Sequence, residues 1–231
     1  TMVYEPHDDA SAALGRWDPE VVVANAEEYV ADQSVVAVIG TFNSSAAKLM
    51  IPILNPARLV MISPGNTYPG LTKPVKGEPG EPGKYYPNGE RNYTRVITPD
   101  DVQGAVGAQW AADLGAQSVY LLDDGATYGT STADAFEAMA REIGLEILGH
   151  ESIDPRAADY TGLAGKITDL SPDLIYFGGL YDGAGPVVQD IRDAGYTSLI
   201  MGPDGIQIQA FIDSTGADAA EGVYATVGGV Y

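Results

Sequence analysis

The chain has 231 residues, 45% of them hydrophobic, which is enough to bury a real core and excludes disorder as the default. Twelve Lys+Arg against 32 Asp+Glu give a net charge of −20, which repels phosphate backbones and anionic lipid heads and argues against nucleic acid and against peripheral membrane binding. Cysteine is absent, so disulfides, thiolate catalysis and Cys-type zinc sites are excluded.

Met2-Val3-Tyr4 reads as a strand that starts almost at the first residue. Asp18-Pro19 then caps a helix running to about Ala31, with proline in its first turn. Residues 35–39 form a buried strand, and Ser44 or Ser45 opens a helix toward Leu54. A second strand covers 59–62. The rhythm breaks over 68–94, a long Gly/Pro-rich loop carrying Tyr85, Tyr86 and Tyr93. It reads either as a surface excursion or as a functional loop. Asn92–Ile97 is a further strand, and Thr98-Pro99-Asp100-Asp101 marks a crossing between two half-domains.

Beyond that crossing, strands at 118–122, 173–177 and 198–201, with further candidates at 145–149 and 221–226, alternate with helices at 101–114, 129–143, 159–169, 183–194 and 205–214. Gly115, Gly144 and Gly195 each end a helix before a strand. This alternation predicts parallel α/β sheets. The expected organisation is a first lobe over 1–97, a second over 98–226, and the start of another crossing over 227–231. No apolar run approaches the length of a spanning helix, and no signal peptide is visible.

In open parallel sheets ligands bind beyond the C-terminal ends of the strands. The loops there are 40–46, 63–70, 123–130, 178–185 and 202–207, rich in glycine, hydroxyls and isolated aspartates. Loop 40–46 runs into a helix N-terminus, where free N–H groups and the Ser44 and Ser45 hydroxyls suit a carboxylate; the same serines could serve only as caps. Asp204, between proline and glycine, is an ordinary turn aspartate or an acceptor for an ammonium group. Asp123 and Asp124 could hold a divalent ion, with structural turn acids as the simpler reading. Enzyme motifs are missing. There is no P-loop and no nucleophile elbow, and Gly183-Ala184-Gly185 meets Val188 where a dinucleotide fingerprint needs glycine. His7 and His150 stand alone in sequence. No catalytic residue, metal site or cofactor is therefore expected.

Several stretches in order carry a resemblance. They are Asp8-Asp9-Ala10, Trp17-Asp18-Pro19, Val38-Ile39-Gly40-Thr41-Phe42-Asn43-Ser44-Ser45, Met61-Ile62-Ser63-Pro64-Gly65-Asn66-Thr67, and Asp100-Asp101-Val102-Gln103-Gly104. Further on come Tyr128-Gly129, Tyr176-Phe177-Gly178-Gly179, Met201-Gly202-Pro203-Asp204-Gly205 and Ala220-Glu221-Gly222. The chain resembles the branched-chain amino-acid-binding proteins of ABC transporters, within the type I periplasmic binding proteins. The resemblance implies two doubly wound α/β lobes joined by a hinge and closing on an amino-acid-like ligand. It also implies that the family's first strand and helix, and its return to the first lobe, fall outside these 231 residues.

Residue by residue, it implies that Ser44 and Thr67 bind the ligand carboxylate and that the Gly65 carbonyl accepts from the ammonium. Asp204 would pair with the ammonium, and Tyr128 would line the cleft. Ser45 and Asn66 belong to the same two loops. The family's Gly-Gly-Tyr is here Gly178-Gly179-Leu180, so a contacting tyrosine is missing and Tyr181 is the nearest substitute. The implied partners are a small amino acid or amide and a membrane ABC permease, for a monomer outside the cytoplasm with a lipid-anchored precursor. The same fold would also suit the sensing domain of a receptor or regulator.

Overall fold

A computed structural model describes residues 2–229. The chain divides into two compact units, the first ending at Ile97 and the second starting at Thr98. Val230 and Tyr231, the end of the expected crossing over 227–231, lie outside the described residues.

The first unit is built on helix α1 (Pro19–Ala31), strand β1 (Ala37–Ile39), helix α2 (Ser44–Leu54), strand β2 (Val60–Ser63) and strand β3 (Tyr93–Arg95). Asp18 starts α1 by accepting the Glu20 N–H on its side chain, ahead of Pro19. The strands pair in parallel in the order β1-β2-β3, with Ile39 beside Ile62 and Ile62 beside Thr94. Alternation along the strands turns Met61 and Tyr93 inward, against Val22 and Ala26 of α1 and Ala47, Ile51 and Leu54 of α2. Ile39 and Val60 point to the other face and are exposed.

Three expectations need correction here. Residues 35–39 are not a buried strand: β1 covers only Ala37–Ile39, and Ile39 is 70% exposed because nothing among the described residues covers that face of the sheet. Met2-Val3-Tyr4 is not a strand; it makes no ladder and Met2 is 89% exposed. The 68–94 stretch is not a surface excursion. It winds through three short 3₁₀ turns (Pro69–Leu71, Pro74–Lys76, Gly83–Tyr85) and returns Tyr68, Leu71, Tyr85 and Tyr86 to the core. The physical reason is a buried carboxylate. Glu81 accepts from Tyr68 Oη at 2.7 Å, from Tyr85 Oη, and from Lys84 Nζ at 2.9 Å. The tyrosines can therefore enter the core with their hydroxyls bonded.

The second unit contains helix α3 (Asp100–Asp113), strand β4 (Ser118–Asp123), helix α4 (Thr127–Ile143), strand β5 (Glu146–Ser152), helix α5 (Thr161–Leu170), strand β6 (Leu174–Gly178), helix α6 (Tyr181–Asp193), strand β7 (Leu199–Gly202), helices α7 (Gln209–Thr215) and α8 (Ala217–Ala220), and strand β8 (Val223–Ala225). All pairs are parallel, in the order β5-β4-β6-β7-β8. Helices cover both faces. Tyr120, Leu122, Ile175 and Phe177 pack with residues of α5 and α6; Val119, Leu121, Leu174 and Tyr176 pack with α3 and α4. Central strands buried on both sides read as continuous apolar runs, which is why they were visible in the sequence. The chain reverses direction across the sheet between β4 and β6, which opens a crevice at their C-terminal ends. The helix predicted over 205–214 is in fact a 3₁₀ turn at Asp204–Ile206 followed by α7, because Ile208 between them is extended.

Candidate functional site

In the first unit the loops after β1 and β2 lie against each other. Gly65 is required by this contact: a Cβ there would stand 2.9 Å from the Phe42 ring and 3.1 Å from the Phe42 carbonyl oxygen. Asn66 braces the pair. Its buried amide donates to Thr41 O at 2.9 Å and to Phe42 O at 3.0 Å, and Ser63 Oγ donates to Thr41 O at 2.8 Å. Asn66 thus shapes the loops with its side chain.

Ser44 occupies the first position of α2 after Asn43, so its hydroxyl is not the helix cap. Instead Ser44 Oγ accepts from the backbone N–H groups of Thr67 and Tyr68, each at 3.2 Å. This ties the helix start to the second loop and places Ser44 beside Thr67. Thr67 is buried, and its Oγ1 has no hydrogen-bond partner among the described residues. A buried hydroxyl left unpaired costs about 1–3 kcal/mol, so such groups call for an explanation. Ser45 is half-buried on the next helical position and has no bond to this group among the described residues.

In the second unit three strand-end loops converge. Tyr128, in the first turn of α4, donates its hydroxyl to Asp204 Oδ1 at 2.6 Å and accepts from Gly205 N at 2.9 Å. Gln103 of α3 donates to the same Asp204 oxygen at 2.9 Å and also reaches the Thr226 carbonyl at 3.2 Å. Burial, reinforced by Asp204, pushes the Tyr128 phenol well above its ordinary range, so it stays protonated and stays a donor. Gly205 is needed where the loops touch, because a Cβ would lie 2.7 Å from Gly179 O and 2.9 Å from the Tyr128 ring. Leu180 caps α6 and its side chain reaches toward Gly205. Tyr181, the first residue of α6, is more than one-third exposed.

Ser44, Gly65, Asn66 and Thr67 are thus brought together in one unit, and Tyr128 and Asp204 in the other. Sequence reasoning missed Gln103 as a member of the second group. Its one signal was position: a glutamine one turn into a helix that follows the half-domain crossing.

Asp123 and Asp124 are held by the protein itself. Asp123 accepts from Gly125 N at 2.7 Å, Thr130 Oγ1 at 3.0 Å and Ser152 Oγ at 2.9 Å. Asp124 accepts from Ala126 N at 3.0 Å and Leu180 N at 3.4 Å, and so links the loops after β4 and β6. His150 does not stand alone. It lies between Asp123 and Glu137, whose hydrogen bonds push its imidazole up to about 9.

The comparisons with known proteins agree with this architecture. The sequence model of the family described as periplasmic binding protein matches residues 13–231. An amino acid binding protein of Pseudomonas aeruginosa is 30% identical over 213 residues, covering 91% of this chain and 53% of that protein. A Leu/Ile/Val-binding protein of Rhizobium johnstonii is 28% identical, covering 97% of this chain and 56% of the relative. Among solved structures, a leucine binding protein from Thermotoga maritima superposes with a TM-score of 0.78 at 23% identity, covering 90% of this chain and 55% of that one. The substrate binding protein of a branched-chain amino acid transporter from Streptococcus pneumoniae, in complex with isoleucine, gives 0.76 at 24% identity, with coverage of 90% and 55%. At those identities the structures speak for the fold. The chain spans about half the length of the curated relatives it matches.

Proposed function

The chain belongs to the periplasmic binding protein family, and from that membership we propose that it is the ligand-binding part of a protein that captures a small amino-acid-like zwitterion outside the cytoplasm and hands it to a membrane ABC permease. Ser44 and Thr67 receive the carboxylate. The Gly65 carbonyl and Asp204 receive the ammonium, and Tyr128 and Tyr181 contribute aromatic surface. Membrane attachment of the precursor through a lipid belongs to the same reading.

The observation that carries this reading is the bracing of Asp204. A carboxylate in a strand-end loop, fixed by two donors from different helices, is held in one orientation before any ligand arrives. Preorganisation of this kind reduces the ordering cost of binding. Micromolar affinity corresponds to about −8 kcal/mol. Hydrogen bonds to charged groups, worth about 1.5–3 kcal/mol each, plus burial of an aliphatic side chain supply that amount. The names of the relatives favour branched-chain amino acids, while Leu180, in place of tyrosine, reshapes one wall.

A thermal-shift screen against amino acids and small amides tests the proposal. A ligand at 100 times its dissociation constant stabilises by about 2.7 kcal/mol. The expected result is a shift with at least one aliphatic amino acid that Asp204→Ala abolishes. No shift with any amino acid or amide would overturn the ligand class.

A further inference from the structure

Away from the ligand site, helix α4 and the edge strand β5 of the second unit share a group of side chains that the proposed function does not use. Asp134 and Glu137 stand three residues apart on α4, so they share a face of the helix. His150 comes from β5. One ligand-capable atom from each of the three lies within 4.8 Å of the others. His150 Nδ1 is 2.6 Å from Glu137 Oε2, and its Nε2 is 3.2 Å from Asp123 Oδ2. Asp123 is buried and is itself fixed by Gly125, Thr130 and Ser152.

A metal-ligating histidine almost always has its second ring nitrogen bonded to a carboxylate or carbonyl, which sets the tautomer and orients the ring. His150 has this arrangement, with the rigidly held Asp123 carboxylate on one nitrogen and the Glu137 carboxylate on the other, and Asp134 adds a third carboxylate to the group. We propose that Asp134, Glu137 and His150 form a binding site for a divalent first-row transition metal ion, with Asp123 orienting the imidazole.

The donor set decides the class of ion. One imidazole with two carboxylates suits Zn²⁺, Ni²⁺ or Mn²⁺, whereas Ca²⁺ and Mg²⁺ prefer oxygen alone. Three protein ligands leave the remaining positions to water. The charge balance favours a cation: three carboxylates surround one imidazole, in a chain of net charge −20. Arg141 pairs with Glu137 through Oε1 and leaves Oε2 on the His150 side. Asp134 is exposed and Glu137 and His150 are half-buried, so an ion can enter from solvent. Binding displaces the proton between His150 Nδ1 and Glu137 Oε2 into solvent, so it competes with protons. The ion would fasten α4, the helix that carries Tyr128, to the edge of the sheet.

Calorimetric titration of the EDTA-treated chain in mildly alkaline, non-chelating buffer tests this, with ZnCl₂, NiCl₂, MnCl₂ and CaCl₂ each used alone. The expected result is one transition-metal ion per chain, bound at least tenfold more tightly than Ca²⁺. His150→Gln and Asp134→Asn should each weaken it tenfold or more, Asp123→Asn should weaken it as an outer-shell change does, and His7→Gln should leave it unchanged. Asp134 is exposed, so Asp134→Asn keeps the test valid if the histidine variant fails to fold. Absence of saturable binding by all three transition metals at about 1 mM, binding that survives Asp134→Asn, or binding lost with His7→Gln would overturn the site.

Discussion

At the scale of single residues, Asp204 depends on its two donors. Removing the Tyr128 hydroxyl leaves Gly205 N without its acceptor and Asp204 with one donor fewer. Tyr128→Phe should therefore cost about 1–3 kcal/mol of stability, read by urea denaturation, and should weaken ligand binding. An unchanged midpoint would show that the bond contributes nothing. Glu81 gives a pH prediction. Burial alone would raise its carboxyl, but bonds from Tyr85, Tyr68 and Lys84 outweigh burial and hold it down at about 2, below the usual 4.5. A depressed folded-state value means stability that is complete above about 4.5 and lost as pH falls toward about 2. Glu81→Gln should flatten the acid limb of a melting-temperature profile over that window, and an unaltered profile would contradict the assignment. Ser44, Thr67 and Asp204 stand out in the sequence because their loops follow strands and lie in the stretches that carry the family resemblance. Gln103 does not, since its partners Asp204 and Thr226 lie 101 and 123 residues away; Glu81 does not, since Tyr68, Lys84 and Tyr85, though near in sequence, meet it only through irregular 3₁₀ turns that no periodic pattern marks.

At the scale of elements, α3 and α4 approach through small residues. Gly104 of α3 has no room for a methyl group: a Cβ would meet Thr132 O at 2.5 Å and Phe136 N at 2.7 Å, both backbone atoms that cannot swing aside. Gly104→Ala gains about 1 kcal/mol in helix propensity and loses about 1–3 kcal/mol to overpacking. A net fall in stability is expected in chemical denaturation; a net rise would show that the helices separate easily. Most elements were legible because their signals are local. Asp18-Pro19 opens α1, and Gly144 closes α4 with φ of +86°. The errors arose where tertiary contact overrides local pattern. Met2-Val3-Tyr4 has β-type residues but no strand beside it. The Gly/Pro-rich 68–94 stretch reads as open to a surface excursion because Tyr68 and Tyr85 enter the core only when Glu81 meets their hydroxyls. The helix expected over 205–214 is interrupted at Ile208, which is extended and caps α7; its β-branched side chain favours that conformation.

At the scale of the whole molecule, 12 basic residues face 32 acidic ones. Such an excess repels itself in the folded state. Salt at about 1 M shortens the screening length to about 3 Å, so the melting temperature should rise with KCl; a flat or falling response would contradict this. No helix among the described residues is long and apolar enough to cross a membrane. At the centre stands the proposal that Ser44 and Thr67 receive a ligand carboxylate and that the braced Asp204 receives its ammonium. The most direct measurement is calorimetric titration of the tightest aliphatic amino acid, its methyl ester and its N-acetyl derivative into the wild-type and Asp204→Asn proteins. The free amino acid should bind wild type, each derivative should lose tenfold or more, and Asp204→Asn should no longer distinguish the N-acetyl form. Equal wild-type affinity for the amino acid and its N-acetyl derivative, or undiminished binding by Asp204→Asn, would contradict it.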